Sequence, residues 1–598
     1  MIATLKQIYQ LLSEQQKRRY LRLQLLIIVM AFFELFGVAS IAPFMAVVGD
    51  ESILQQPGLL QTLYLWTELE SEREFLIVLG LGVLVALGAS TLVSIFTTWK
   101  LSLFATQIGA EISSKLYGYY IRESWLFHTS TNSSALVKEI STEVHRITYE
   151  ILLPFVYMNA MVVMALFIAV ALFVFDPLVA LAGMVFFTLS YMAIYQLIRR
   201  QVMRNGTAIS TTAEQRFKLM NEGFGGIKDT ILLGRQSMLS EHFSHTSQQM
   251  ALAQGQNSAL SLVPKFFLEF MVFGALVALV IYMLWQAQGN LAQVLPVLSI
   301  YALAGFKLLP AFQRVYSGMV LIKGSVSAFE AIKDDWAKAN QLERRKSVIA
   351  TRLSLQQQIV LDEVSFYYPG KSEPALEKVS LQIRAKQIIG VVGPSGSGKS
   401  TFVDLLMGLM TAQSGSIAID GQPLEEGNIR RWQNNIGYVA QSIFLTEGSI
   451  AQNIAFGLPL AQIDMTKVQR CLKLAHLDEW VSSLEQGVMT EVGERGVQLS
   501  GGQRQRIGIA RALYHDADVL VFDEATSALD SVTEKLIMQA IHDFSGQKTI
   551  ILIAHRLNTI EKCDQVFYFE GGRLSNQGTF KELLQHNPQF RAMAKQAS

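Results

Sequence analysis

The residues with the clearest chemical potential are nine consecutive ones, residues 393–401, with the sequence GPSGSGKST. They follow an apolar run and precede a helical pattern, which is the strand–loop–helix setting of a phosphate-binding P-loop. Glycines in such a loop let backbone N–H groups curl around phosphates, and the helix N-terminus adds its dipole. Lys399 would reach the β- and γ-phosphates, and Ser400 would ligate Mg²⁺. We predict that the nucleotide is held by Gly393, Ser395, Gly396, Gly398, Lys399, Ser400 and Thr401.

A second candidate for chemistry is a pair of carboxylates at the end of residues 518–524, DVLVFDE. We expect this apolar strand to lie beside the P-loop strand, with Asp523 holding Mg²⁺. Glu524 would then be able to polarise a water molecule for attack on the γ-phosphate. The alternative is a core strand with two solvated acids at its end, which the nearby P-loop motif disfavours. The two motifs together predict nucleotide hydrolysis.

The sequence LSGGQ at residues 499–503 resembles the signature of the ATP-binding-cassette (ABC) family, and it precedes the carboxylate strand at that family's distance. Tyr368 resembles the family's adenine-stacking aromatic residue, and Gln441 resembles the glutamine that senses Mg²⁺. His555 resembles the histidine that contacts the γ-phosphate, and Asp530 lies in a sequence similar to the loop between two ATPase domains. The resemblance therefore implies ATP and Mg²⁺ as cofactors, with catalysis by Glu524, His555 and Gln441. It implies that Mg²⁺ is bound by Ser400, Gln441 and Asp523. The further nucleotide contacts that it implies are Tyr368, Ser500, Gly501, Gly502, Gln503 and Asp530.

The resemblance also implies an assembly. In this family, ATP lies between the P-loop of one ATPase domain and the signature of another, so one chain supplies half of each site. The working unit is therefore expected to be a homodimer with two equivalent sites. The serine and glycines of the signature would offer a hydroxyl and close-approaching N–H groups at a second helix N-terminus.

The composition indicates that a large part of the chain lies in a membrane. Of the 598 residues, 51% are hydrophobic and 17% are charged, and the net charge is +1. This charge gives no reason to expect a nucleic-acid partner, because phosphate backbones are bound through clustered Lys and Arg. A helix needs about 20 apolar residues to span a bilayer. Runs of that kind predict six spans. The first four are residues 23–49, 75–99, 151–175 and 177–198. The fifth starts near residue 261, and a polar turn at residues 286–290 separates it from the sixth, which continues past residue 306.

The distribution of Lys and Arg predicts the orientation of these spans. Basic residues are concentrated in residues 1–22 and 199–265, whereas the loop between the first two spans has only Arg73 and the turns at 176–177 and 286–290 have no Lys or Arg. Because cytoplasmic loops are enriched in Lys and Arg, we expect both termini in the cytoplasm and a multi-pass protein of the bacterial inner membrane. After residue 350, short apolar strands alternate with helical patterns, which is typical of an α/β domain. The predicted fold is an α-helical six-span membrane domain of the ABC exporter type, residues 1–335, then a linker, residues 336–350, and an α/β P-loop ATPase domain of the ABC type, residues 351–598.

Ionisable residues within membrane spans are candidates for function because burying them in lipid is costly. Four such residues lie in or near the predicted spans: Glu34, Glu269, Lys307 and Arg314. Lys307 and Arg314 are seven residues apart on one helix face and could form a basic stripe that binds a phosphate or pyrophosphate headgroup. Alternatively, Lys307 pairs with Glu269, and Arg314 marks the cytoplasmic exit. The residues alone leave both interpretations open.

The fusion of six spans ahead of the cassette resembles ABC exporters, which implies outward transport. Short patches around Glu34, residues 264–269, and Lys307 with Arg314 resemble bacterial flippases of lipid-linked oligosaccharides, the PglK type. This resemblance implies a polyprenyl-diphosphate oligosaccharide that moves from the inner to the outer leaflet. The alternatives are a lipid A or multidrug exporter, then a peptide exporter, and, from another functional class, an ATP-gated channel.

Overall fold

A computed structural model describes residues 2–597 of the chain except 50–53, 56, 68, 70, 176, 287–290, 343–350, 494–495, 525–533, 536–537, 540, 543 and 555–558. The chain divides into two compact units. The first unit comprises Met1–Glu123 and Phe127–Lys346, and the second comprises Ser124–Leu126 and Ser347–Ser598.

The first unit is built from helices, as its long apolar runs predict. Four helices exceed 30 residues, and each contains at least part of one predicted membrane span. The helices are α1 (Ile2–Leu11), α2 (Glu14–Ala39), α3 (Ile41–Gly49), α4 (Leu59–Trp66), α5 (Glu72–Tyr120), α6 (Trp125–Ser130), α7 (Ser133–Lys138), α8 (Val144–Arg146), α9 (Leu153–Phe175), α10 (Pro177–Gly225), α11 (Ile227–Leu232), α12 (Gln236–Gln286), α13 (Leu291–Gly324) and α14 (Val326–Leu342).

The described residues include several candidate membrane crossings. Three helical stretches there are long and apolar enough to cross a membrane: Glu14–Gly49, Glu72–Tyr120 and Ser133–Val174. A fourth is obtained if Tyr301–Gly324 and Val326–Gln341, which are bent by 59° relative to each other, count as one span. The remaining predicted spans lie within the long helices α10 and α12, and the count of six stays a prediction.

A wide helical turn brings charged side chains into the interior of this unit. The helix between α7 and α9 is of the π type over Glu139–Glu143 and Ile147–Leu152. Arg146, which is 4% exposed, donates to a carboxylate oxygen of Glu143 at 3.1 Å. It also donates to the Ser210 hydroxyl of α10 at 2.9 Å and to the Gly324 carbonyl at the end of α13 at 3.1 Å. One guanidinium therefore ties three helical segments together.

The bend between α13 and α14 lies at the same place. The hydroxyl of Ser325 donates to Glu150, and that of Ser327 donates to the carbonyl of Gly206 at 3.0 Å. A Cβ atom built on Gly206 would lie 1.9 Å from the carbonyl oxygen of Gly324. The absence of a side chain at Gly206 is therefore what lets α10 approach the bend so closely.

We expect Gly206→Ala to destabilise the membrane unit by about 1–3 kcal/mol, since the added methyl group collides with backbone that has no freedom to move. The measurement is the midpoint of thermal unfolding of the purified protein in detergent. Gly223→Ala is the matched control, because it lies on the same helix and its Cβ would meet nothing within 4 Å. Equal midpoints for the two variants would contradict a tight contact at Gly206.

The predicted linker, residues 336–350, is partly helical in the structure. Helix α14 continues to Leu342 because Trp336 and Ala339, which are 2% and 4% exposed, pack into the core of the membrane unit. Residues 343–350 of the predicted linker lie outside the described residues.

The second unit contains two sheets, and the larger one carries the P-loop. This sheet has the strand order β10-β9-β3-β8-β7-β6, in which all neighbouring strands are parallel except β9 and β10. A smaller antiparallel sheet has the order β2-β1-β4-β5. The strands are β1 (Gln358–Phe366), β2 (Leu376–Arg384), β3 (Ile388–Val392), β4 (Ser414–Ile419), β5 (Gln422–Pro423), β6 (Ile436–Val439), β7 (Val519–Asp523), β8 (Thr549–Ile553), β9 (Gln565–Glu570) and β10 (Arg573–Gly578).

Helices surround the larger sheet, whose central strands are fully buried. The described helices of this unit are α15 (Lys399–Leu406), α16 (Ile429–Gln433), α17 (Ile450–Ile454), α18 (Met465–Leu474), α19 (Asp478–Ser482) and α20 (Gly501–Tyr514), followed by Phe580–His586 and Pro588–Ala597. This architecture is the predicted α/β domain.

The carboxylate strand is not the direct neighbour of the P-loop strand, so that expectation is wrong. Strand β8 lies between them and pairs in parallel with both β3 and β7. Its five residues are all buried, which explains why an apolar strand occupies the centre of the sheet. The P-loop and the carboxylates still meet at one edge, because parallel strands have their carboxyl ends on the same side.

Candidate nucleotide site and intramembrane charges

The P-loop is a backbone cradle between β3 and α15. Gly398, at the N-cap of α15, has φ +98°, and a Cβ atom there would lie 2.6 Å from the Ala375 carbonyl oxygen. A Cβ atom on Gly393 would lie 2.1 Å from the Phe569 carbonyl oxygen. Only glycine therefore fits these two positions, and the loop is held open against the neighbouring strand segments. This arrangement leaves amide N–H groups at the start of the helix for an anion.

Lys399 lies within this cradle. Its ammonium group donates to the carbonyls of Gly393 at 2.9 Å and Pro394 at 2.8 Å. Burial lowers the pKa of Lys399, and the nearby carboxylates of Glu524 and Asp523 act in the opposite direction. A bound triphosphate would supply the negative charge that favours the ammonium form.

The hydroxyl groups of the loop fit a nucleotide and a metal ion. The buried hydroxyl of Ser397 has no hydrogen-bond partner within the described part of the chain, which leaves it available to a ligand. Ser400 is exposed, whereas Thr401 is buried and its hydroxyl lies 3.2 Å from that of Tyr368. The Tyr368 ring packs edge-on against Phe366, which fixes it beside the loop. Residues predicted to hold phosphate, Mg²⁺ and adenine are thus brought to one end of the sheet.

The two carboxylates have different surroundings. Glu524 has φ +47°, and its backbone N–H donates to Ile553 of β8 at 3.1 Å. The side-chain amide of Gln441 donates to the Glu524 carboxylate at 2.5 Å. Asp523 accepts from the hydroxyl of Tyr438 at 3.4 Å. The structure therefore brings together Gln441, Asp523 and Glu524, as the sequence predicts, and adds Tyr438 to the group.

The carboxylate of Asp523 influences neighbouring groups. Burial first and the nearby Asp523 and Asp404 charges second raise the pKa of Tyr438. The pKa of Asp404 on α15 is raised to about 6, mainly by burial, with Asp523 adding to the effect. The Asp523 charge contributes to both shifts after burial, and a bound cation would offset that negative charge. The set of oxygen donors at this edge is of the type that Mg²⁺ prefers.

The signature residues form the N-terminus of α20. Ser500 is the N-cap: its hydroxyl accepts from the N–H of Gln503 at 3.2 Å, and the Gln503 side chain accepts from the Ser500 N–H at 2.8 Å. Ser500 and Gly501 are exposed. Within the described residues, no hydrogen bond joins this capping box to the P-loop. The helix N-terminus is therefore open to a ligand from outside its own chain segment.

Two predicted site residues cannot be placed. His555 and Asp530 lie outside the described residues, and their roles stay predictions.

The intramembrane charges pair differently from the alternative in which Lys307 meets Glu269. The ammonium of Lys307 lies 2.7 Å from the carboxylate of Glu34, which also accepts from the Ser94 hydroxyl at 2.6 Å. Glu269 instead lies 3.5 Å from Lys265, one helical turn away on α12. Pairing of Lys307 with Glu269 is thus wrong, because Glu34 and Ser94 offer a less exposed polar site on facing helices.

Arg314 is the other member of the predicted basic stripe. It is exposed, and its guanidinium lies 5.2 Å from the centroid of the Tyr157 ring, while the Tyr157 hydroxyl is 2.5 Å from that of Ser102. The stripe therefore consists of one lysine neutralised by a carboxylate and one arginine stacked on an aromatic ring. Ser94 and Tyr157 were not predicted, although polar groups within apolar runs are a usable signal.

Residues 376–527 match the family model described as ABC transporter. The ATP-dependent lipid A-core flippase of Cupriavidus pinatubonensis (strain JMP 134 / LMG 1197) is 32% identical over 404 residues, which cover 65% of this chain and 66% of the relative. The protein of that name from Yersinia pestis is 30% identical over 406 residues, which cover 65% of each chain. The chain thus spans slightly less than two thirds of the length of these relatives.

One solved structure matches along nearly the whole chain. It is described as the structure of a bacterial Atm1-family ABC exporter with ATP bound, and it covers 97% of this chain and 98% of its own. The TM-score is 0.78 at 21% sequence identity, which establishes a shared fold.

Proposed function

We propose that this chain, whose residues 376–527 match the ABC transporter family model and follow a unit of long apolar helices, is an exporter that hydrolyses ATP to move a lipid across the bacterial inner membrane. The observation that carries the proposal is the meeting of Lys399, Glu524 and Gln441 at the carboxyl edge of the parallel sheet, where strands β3, β7 and β6 end. An intact set of this kind supports hydrolysis rather than nucleotide binding alone.

The residues suggest how hydrolysis proceeds. The P-loop amides and Lys399 would hold the β- and γ-phosphates, while Glu524 would orient a water molecule and accept its proton. Gln441 would keep the Glu524 carboxylate in place through the 2.5 Å hydrogen bond. Mg²⁺, held by Ser400, Asp523 and Gln441, would neutralise the phosphate charge when bound. His555 would contact the γ-phosphate.

We further propose that the working unit is a homodimer. The capping box of Ser500 and Gln503 leaves the N-terminus of α20 exposed. A second copy of the chain would present its P-loop to this helix end, so that each ATP contacts two chains. Asp530 would lie in the loop between the two ATPase domains, and both termini would be cytoplasmic.

For the cargo, we propose an amphiphilic lipid with a phosphorylated headgroup. The relatives at 30–33% identity are named for lipid A-core, and they favour a cargo of the lipid A type. A polyprenyl-diphosphate oligosaccharide is the second candidate, supported by the charged patches at Glu34, Glu269, Lys307 and Arg314. Both cargoes carry phosphate, which Arg314 recognises well because a guanidinium binds phosphate through two parallel hydrogen bonds.

The test is ATP-dependent flipping in proteoliposomes, with fluorescent lipid A and a fluorescent polyprenyl-diphosphate oligosaccharide compared side by side and Glu524→Gln as the inactive control. Flipping of lipid A by the wild type alone would establish the first cargo. Flipping of only the oligosaccharide would establish the second. Active ATPase with no flipping of either lipid would refute a phosphorylated lipid cargo.

Arg314→Ala is expected to reduce lipid flipping about tenfold, the value of one charged hydrogen bond. Basal ATPase should fall by much less, because Arg314 contacts Tyr157 in the membrane unit and no residue of the nucleotide site. Flipping and ATPase are measured on the same proteoliposomes. Lys333→Ala is the control, since Lys333 is paired within α14 with Glu330. A parallel loss of both activities would assign Arg314 to folding.

A further inference from the structure

The ATPase unit has a second cavity, away from the P-loop. It encloses about 230 Å³ between α18, the end of α20, the start of β7 and the segment before β8. None of the nucleotide-site residues lines it. Its walls include Lys467, Arg470, Leu513, Leu520, Phe544 and Lys548.

One cation that lines this cavity, Lys548, and one that bonds to a lining residue, Arg352, are already used by the fold. Lys548 donates to the carboxylate of Asp516 at 3.0 Å and to the carbonyl of Ala517 at 2.6 Å. Arg352 donates to the carbonyls of His515 and, at 3.2 Å, Asp516. Both side chains thus satisfy groups that follow the C-terminus of α20, where cations are favourable.

The other two cations have no such role. Lys467 and Arg470 are exposed, lie one helical turn apart on α18, and have no ion-pair partner within the described part of the chain. Asp516 is the acidic residue in the wall and is bound to Lys548, while Arg470 lies close enough to help lower the pKa of its carboxyl without forming an ion pair. Lys467 also acts on His515, whose pKa is lowered by burial first and then by Arg352 and Lys467.

The deeper wall of the cavity is apolar. Leu520 of β7 is buried, and Leu513 and Phe544 are half-buried. The cavity therefore offers an apolar surface beside a charged rim, a combination that suits a small ligand with one part of each kind. Its volume is smaller than the 300–1,000 Å³ common for drug-sized ligands, so a nucleoside triphosphate would not fit.

We propose that this cavity binds a small organic anion, with one phosphate, sulfate or carboxylate group held by Arg470 and Lys467 and a compact apolar body against Leu513, Leu520 and Phe544. The guanidinium of Arg470 would bind two oxygens of the acidic group, and Lys467 would add a point charge. The ligand would bridge α18 and α20 to the sheet, and its binding would therefore stabilise the ATPase unit. This site is independent of the cargo and of the nucleotide.

The probe for this site is phenyl phosphate, titrated calorimetrically into the full-length protein in detergent with the P-loop saturated by a non-hydrolysable ATP analogue. We expect saturable binding of one probe per chain. Inorganic phosphate, which lacks the apolar body, and benzyl alcohol, which lacks the acidic group, are both expected to bind more weakly. Arg470→Ala is expected to weaken binding about tenfold.

Lys473→Ala is the matched control, because Lys473 is an exposed cation of the same helix that does not line the cavity. It is expected to bind the probe as the wild type does. Lys467→Ala provides a second variant at the rim if Arg470→Ala lowers the unfolding midpoint. Absence of saturable binding to the wild type, or unchanged affinity in both rim variants, would overturn the proposal.

Discussion

Replacing Glu524 with Gln should leave ATP binding intact and reduce ATP hydrolysis by about 10²–10⁴-fold, the usual contribution of a positioned general base. The amide has the size of the carboxylate but cannot accept the proton of the attacking water. Lys399 and the P-loop glycines, which are proposed to hold the phosphates, are unchanged by the substitution. The measurements are phosphate release and equilibrium binding of a fluorescent ATP analogue on the same preparation.

Gln441→Glu is the informative companion variant, because it removes the amide that donates to Glu524 at 2.5 Å and places a second carboxylate there. We expect it to lower hydrolysis less than Glu524→Gln does, since the base itself remains. Normal turnover by Glu524→Gln would remove Glu524 from catalysis and make its proximity to Gln441 a structural contact. Loss of ATP binding would instead assign it to the shape of the site.

The largest expected loss of stability comes from Arg146→Met. Glu143 has no solvent exposure, and Arg146 lies 3.1 Å from its carboxylate. Methionine would fill much of the volume but would leave the charge of Glu143 inside the protein, with Lys138 at 3.7 Å as its remaining cation. Removing one member of a buried pair typically costs about 3–5 kcal/mol. The measurement is the thermal unfolding midpoint in detergent.

Two comparisons make this result specific. Lys218→Met removes one partner of an exposed pair, in which Lys218 and Glu222 lie 3.8 Å apart, and should change stability by about 0–1 kcal/mol. The double variant Arg146→Met with Glu143→Met should be more stable than Arg146→Met alone, because the buried carboxylate that lost its closest cation is removed as well. A double variant as unstable as the sum of the single ones would show that packing, rather than charge, holds this region.

The nucleotide site illustrates what sequence reasoning can reach. The P-loop was predictable because its glycines, lysine and serine are contiguous, and local spacing alone fixes their arrangement. The contact of Gln441 with Glu524 joins residues 83 positions apart, and only the family resemblance suggested it. The insertion of β8 between β3 and β7 was missed because strand order depends on long-range pairing, which an apolar run does not reveal.

In the membrane unit, the helices could be predicted from the sequence but the contacts between their side chains could not. Apolar length identified the long helices, but it gives no rotation about the helix axis, and therefore no side-chain partners. Glu34 was recognised as unusual, yet its pairing with Lys307, 273 residues away, required the facing of two helices. Helix α14 extends into the predicted linker because Trp336 packs into a core that includes residues distant in sequence, such as Leu116 and Tyr120.

The two π segments at Glu139–Glu143 and Ile147–Leu152 also affect how this chain should be aligned with others. A π turn contains about one residue more than an α turn, and one residue corresponds to about 100° of rotation about the axis. A protein that lacks one residue in this stretch could keep a continuous helix, but every side chain before the deletion would point in a different direction. Glu143 would then no longer face Ser210, whose hydroxyl donates to the Glu143 carboxylate at 2.7 Å and accepts from Arg146 at 2.9 Å. In a sequence alignment, a single-residue gap in this stretch therefore indicates that different side chains face the interior of the helical unit. A gap of the same size in a surface loop has no such consequence.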